Sequence, residues 1–354
     1  MLLGLPACAF AADVAKGHSV PDEAKRFADP ATELEVVRLT DPGHTSLMTA
    51  PWLRSISRKE NFLLYSNDRT GTMQAWRMDL KSGESRLLTE AAALDPASLG
   101  LSPDERSFYY WDGDSLKRCY FAGQRSAQVY SIPEAHGRIP GFAVSSDGLY
   151  AAFGMKAGSD ARMQLLDLVR RTVTTLSLQK AVIGEPLFRP RRAQLLYRRS
   201  GTLRLVDFTG QNDRPLKTAA GGELGPAHWA PTGRSLFYLH FPGEHQLNTI
   251  RELTPDENMD KLVSKTSQFA QFGVNGDASV FVGASRNPGS PYVLLLLKVN
   301  QRELTVCEHR SSDPALVSPI FSPDSQRIFF QSDHEGKPAI YRIRVEKFVE
   351  ETDG

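Results

Sequence analysis

Cysteine is scarce. The chain holds three in 354 residues, at positions 8, 119 and 307, with no C-x-x-C pair among them. That excludes a disulfide-stapled scaffold and leaves no thiolate pair for zinc or redox chemistry. Net charge is nearly absent too: 42 Lys and Arg face 41 Asp and Glu, so nothing electrostatic recommends nucleic acid or an anionic membrane surface as a partner. No apolar run approaches the ~20 residues of a bilayer crossing. The longest, Tyr292 to Val299, is strand-sized. No 3.6-residue apolar period runs through the chain, which argues against a helical core. A G-x-S-x-G elbow and a phosphate-cradling glycine loop are also missing. Disorder is excluded in turn, because 41% of the residues are hydrophobic, ample material for a core.

What is present is a repeat. An apolar run enters a tight turn of the Ser-Pro-Asp or Pro-x-Gly kind, and a second run rich in Phe, Tyr, Leu and Val leaves it. The turns fall near Lys59, Asp104, Asp147, Arg191, Thr232, Asn275 and Asp324. Their spacing of roughly 41–49 residues is that of four-stranded propeller blades. Pro103, Pro231 and Pro323 preset φ in these turns, and Gly148, Gly233 and Gly276 are expected to supply the permissive φ at their ends. The following strands, such as Ser107-Phe-Tyr-Tyr-Trp111 and Arg327-Ile-Phe-Phe-Gln331, are apolar on both faces, as strands sandwiched between blades must be. Val37-Arg-Leu-Thr-Asp41 echoes the fourth strand Arg86-Leu-Leu-Thr-Glu90, while the last repeat ends after its third. An N-terminal strand would therefore complete the C-terminal blade and remove both exposed edges. The expected fold is all-β: a single seven-bladed β-propeller over residues 33–346. A pair of β-sandwiches would also space strands evenly, but the period runs unbroken with no linker.

Outside that span, residues 347–354 read as a charged, flexible tail. Residues 1–12, with Ala9, Ala11 and Ala12 before Asp13, read as the end of a secretory signal peptide. That implies a periplasmic or secreted protein, with Cys8 either removed or lipidated.

Two segments are more specific than a generic propeller. Tyr65-Ser-Asn-Asp-Arg-Thr-Gly71, with Leu101-Ser-Pro-Asp104 after it, and Phe321-Ser-Pro-Asp-Ser-Gln-Arg-Ile-Phe-Phe-Gln331 resemble the first, second and last blades of bacterial oligogalacturonate lyases. Gly184-Glu-Pro-Leu-Phe-Arg-Pro190 and Val306-Cys-Glu-His309 are similar to that family's fourth and sixth blades. The resemblance implies β-elimination on pectin-derived oligogalacturonides. There Mn²⁺ on the uronate carboxylate acidifies the C5 proton, a His acts as base and an Arg balances charge. It also implies metal ligands from a His opening the sixth blade and a Gln-x-x-His-x-His run before the last Ser-Pro-Asp turn.

Here those positions diverge. The run reads Asp313-Pro-Ala-Leu-Val-Ser318, so Gln becomes Asp313 and the two His become Leu316 and Ser318. The sixth-blade His falls at Gln268 or Phe269, the base at Pro226 and the Arg near Thr202, with Arg204 close by. A divalent ion with no imidazole and one carboxylate would bind weakly. The expectation is therefore a binding propeller with no metal and no retained Mn²⁺ site. His228, two residues from the base position, is the candidate catalytic residue. Gln268, Gln271, Asp313 and His44 are the candidate ligand-binding residues. The remaining histidines read as structural or surface groups: His240 and His245 in a hairpin, His309 at a strand end, His334 in a hairpin. Arg189-Pro-Arg-Arg192 reads as a solvated corner.

The partner expected is an oligosaccharide or small polar ligand. Two alternatives stay open. One is an active carbon–oxygen lyase with a site rebuilt from His228, Gln268 and Asp313. The other is a protein-interaction propeller of the Tol-system kind.

Overall fold

Each Ser-x-Asp turn is built by the same three contacts, and these place the strands. In the second blade the Ser102 hydroxyl donates to Asp104 Oδ1 at 2.6 Å and accepts from the Ser107 backbone N–H. Ser145 with Asp147 and Ser322 with Asp324 repeat the arrangement one and five blades later. The carboxylate also accepts a backbone N–H two residues on, so the chain reverses with its polar groups satisfied. The third residue after the turn serine is left-handed: Glu60, Glu105, Gly148 and Ser325 all have φ between 52° and 71°. Gly148 and Gly233 take this conformation as expected, but Gly276 does not. In the sixth blade Ala278 adopts it instead, at φ 63°.

The computed structural model describes residues 15–346, and the leader expected at residues 1–12 and the tail at 347–354 lie outside that span. Seven antiparallel sheets follow one another along the chain. Their innermost strands are Ser46–Leu47, Gly100–Leu101, Gly137–Val144, Ile183–Phe188, Glu223–Trp229, Phe269–Val274 and Ile320–Phe321. The seventh blade closes as the sequence predicts. Glu35–Arg38 pairs with Ala339–Arg344, Val37 opposite Arg342. Two further strands add outside: Lys25–Ala28 on the closing strand, and Ser19–Val20 on the first blade's outer strand Ser85–Leu87.

The core lies between the blades rather than inside any one. Across the closing seam, Leu63, Tyr65 and Trp76 of the first blade pack with Phe329 and Ile340 of the last and Val37 of the closing strand. Among the described residues no helix is long and apolar enough to cross a membrane.

Candidate functional site

Four adjacent inner strands are bulged at the same level. The register shifts between Ile139 and Phe142 in the third blade, Gly184 and Leu187 in the fourth, Leu224 and Ala227 in the fifth, and Phe269 and Gln271 in the sixth. Proline explains three of them. Pro140, Pro186 and Pro226 sit at the shifts, and proline has no N–H for a ladder, so it is accommodated at a bulge on the strand lining the channel. The bulges of the fourth, fifth and sixth blades carry Glu185, Pro226 and Gln271, which line one cavity. Glu185 takes φ 52° there, a left-handed conformation that disfavours any residue with a Cβ. Its carboxylate is held by Arg198 Nε at 2.9 Å.

This cleft, behind the bulges of the fourth to sixth blades, has a volume of about 930 Å³. Arg198 is its organising residue: besides Glu185, its two terminal nitrogens donate to the Leu224 and Gly225 carbonyls at 3.0 and 2.9 Å. One guanidinium thus ties the fourth blade to the bulge of the fifth. Glu223, His228 and Gln271 complete the polar wall, and the loop at residues 218–222 overhangs it.

The His228 ring meets Phe272 edge-on at 4.7 Å, and its Nε2 is buried with no hydrogen-bond partner, as is Gln271 Oε1. Burial pushes the His228 pKa down to about 4, against a weaker opposing pull from the Phe272 backbone. The imidazole is therefore neutral near pH 7. It can accept and donate one hydrogen bond but carries no charge.

The structure brings His228 and Gln271 together on this cleft and holds the other three candidates elsewhere. The Gln268 amide bonds the Gln246 carbonyl at 3.4 Å. Asp313 caps the short helix Pro314–Val317, accepting from the Ala315 N–H. His44 lies 3.8 Å from Asp68.

Two surface readings are corrected. His240 is buried with Nε2 2.8 Å from the Gly221 carbonyl, and His309 is buried against the Ser285 carbonyl at 2.9 Å. Arg189 is no solvated corner either. It is 3% exposed and makes a paired contact with Asp256 of the next blade at 2.8 and 2.6 Å. Arg204 turns to Asp213 within its own blade, so the cleft's arginine is Arg198. The sequence signal for the bulged wall was the proline in Gly184-Glu-Pro186 and Gly225-Pro226. Nothing local marked Arg198.

The positions at which the resemblance puts manganese ligands do not form a donor set. Of the two residues at the sixth-blade position, Phe269 is a fully buried core ring and Gln268 bonds the Gln246 carbonyl. The Leu316 carbonyl accepts from Gln331, Ser318 is the left-handed residue ending the short helix, and Asp313 is spent on the cap. No group of three or more His, Cys, Asp or Glu side chains that could hold a metal occurs among the described residues. A hard divalent ion needs several converging oxygen or nitrogen donors, and these residues do not supply them.

Beneath the cleft Trp52 stands in the channel and lines the cavities on both sides of it. Its loop crosses from the first blade, and the indole N–H donates to the Phe142 carbonyl of the third at 2.8 Å. The ring packs against apolar clusters on both sides of the channel.

No family model matches the chain. The oligogalacturonide lyase of Pectobacterium atrosepticum is 23% identical across 94% of this chain and 98% of its own length. Among solved structures, an oligogalacturonate lyase in complex with manganese superposes with a TM-score of 0.88 at 23% identity, covering 94% of this chain and 98% of that one. The oligogalacturonate lyase of Vibrio parahaemolyticus gives 0.87 at 20% identity, covering 94% and 99%. The resemblance seen in the blade motifs thus extends along almost the whole chain, and the seven-bladed architecture is shared.

Proposed function

We propose that this propeller of the oligogalacturonate lyase type binds a pectin-derived oligogalacturonide, or a related polyhydroxylated oligosaccharide, in the bulged cleft, without metal-dependent β-elimination. One observation carries the reading: a sugar-sized cleft persists at the base and arginine positions, Pro226 and Thr202, while the metal positions are taken by core and capping residues outside it. A space of this volume with a few convergent polar groups suits an oligosaccharide. Glu185, Glu223, Gln271 and neutral His228 offer hydroxyls both donors and acceptors. Arg198 is the cation on the cleft wall, its charge already paired with Glu185. A periplasmic or secreted location, supported by the small-residue pattern before Asp13, would bring the cleft to extracellular polysaccharide fragments.

The chemistry supports binding over elimination. Removing the C5 proton needs the adjacent carboxylate's charge neutralised and a base in place. Arg198 is already committed to Glu185 and two carbonyls, and Gln268 and Asp313 lie outside the cleft. Calorimetry with tri- and tetragalacturonate, with and without Mn²⁺, tests this alongside the ultraviolet absorbance of an unsaturated product. Saturable heat that ignores Mn²⁺, with no rise in absorbance, is expected. Replacing both His228 and Gln271 by Ala should weaken binding by about 1–3 kcal/mol. Absence of heat would discard the sugar reading, and a chelator-sensitive rise in absorbance would restore the lyase.

A further inference from the structure

Beyond Trp52 the channel opens again, on the face carrying the Ser-x-Asp turns, into a second cavity of about 590 Å³ whose walls come from all seven blades. It shares Pro51, Trp52, Leu187 and His228 with the cleft, and the rest of its wall differs. Trp52, Leu101, Phe188, Trp229 and Phe321 make an apolar lining, and four turn prolines, at 103, 190, 231 and 323, form the rim. No carboxylate lines it. The charged residues on its wall are two arginines from one loop, Arg54 and Arg58.

These two are not equivalent. Arg54 is spent: it pairs with Glu105 and donates to the Ser102 carbonyl at 2.7 Å. Glu105 is spent as well, since it also accepts the Arg58 backbone N–H at 2.8 Å. The Arg58 guanidinium is exposed and has no ion-pair partner among the described residues. The Arg54 pKa is lowered, chiefly by burial; Glu105 opposes this, and the smaller positive field of Arg58 adds to the lowering. In the same wall, the Ser55 hydroxyl and the Trp229 indole nitrogen are buried without hydrogen-bond partners.

We propose that this chamber is a second ligand site, taking an organic anion with an aromatic or branched apolar body, which seats among Trp52, Phe188, Trp229 and Phe321 while its acidic group meets Arg58. Apolar concave space of this size gains by excluding water, and aromatic walls favour a flat apolar body. The unpaired cation at the mouth selects for negative charge. A sugar would leave its hydroxyls unbonded against such a wall, so the two chambers differ in ligand class. This inference stands whether or not the cleft binds galacturonides.

The probes are 8-anilinonaphthalene-1-sulfonate and its uncharged counterpart N-phenyl-1-naphthylamine, titrated into the native full chain with tryptophan quenching as the readout. One sulfonate per chain should bind saturably. Arg58→Ala should weaken the sulfonate tenfold or more while moving the neutral dye less than twofold. Arg58 is exposed, so that variant keeps the fold. Ser146→Trp, an exposed rim position, should block both dyes. Tetragalacturonate should displace neither. The proposal is overturned if Arg58→Ala leaves the sulfonate unaffected, if several dyes bind without saturation, or if tetragalacturonate competes.

Discussion

His228 shows how a single ring can be set by its surroundings. Its folded pKa of about 4 lies below the ordinary value near 6.5, so as pH falls the unfolded chain takes up the proton first. The stability gained by keeping the ring neutral is complete above about pH 6.5 and is lost as pH falls towards 4. It amounts to at most about 3 kcal/mol. Unfolding free energies of the native chain and of His228→Gln, measured from pH 7 to 4.5, should therefore converge as the pH drops. Parallel curves would refute this. The same residue marks where sequence reading stopped. His228 and Gln271 were legible because strand alternation puts them on the channel face. Glu185 and Arg198 were not, because a left-handed glutamate is stabilised by an arginine whose other contacts are carbonyls of the next blade. No spacing in the chain encodes that meeting. His240 and His309 were misread for the same reason: the carbonyls that bond them lie about 20 residues away.

At the scale of the element, the turns were the most legible feature and the bulges the least. A serine, a proline and an aspartate in fixed order specify a reversal through local hydrogen bonds alone, so their period could be counted. The Ser102 and Ser322 hydroxyls each donate to a carboxylate and accept a backbone N–H in buried surroundings. Ser102→Ala and Ser322→Ala should each cost about 1–2 kcal/mol, and because the turns are in different blades the two costs should add. Denaturant midpoints of the single and double variants measure this; a double variant no worse than either single one would contradict it. The bulges escaped notice because a proline in a strand is equally consistent with an edge position. Only their alignment across the fourth, fifth and sixth blades shows that they shape one cleft.

At the scale of the molecule, the ring depends on one seam. Val37 is buried among residues of the first and last blades, and its strand is the last blade's link to the N-terminal side of the chain. Val37→Asp buries an unpaired carboxylate there and should cost at least about 3 kcal/mol. It should also free the edge of Ala339–Arg344 for pairing with other chains. A lowered denaturant midpoint with oligomers on size exclusion is the expected result, and a monomer of unchanged midpoint would refute it. The seam also sets a schedule. Thr40 bonds Ile340 across a separation of 300 residues, so the strand that leaves the ribosome early must wait for a partner made near the end. At about 5–20 residues per second, that wait is roughly 15–60 s. Throughout it the nascent chain carries an unmatched strand, so premature pairing with a neighbouring polypeptide is the hazard its biosynthesis has to outrun.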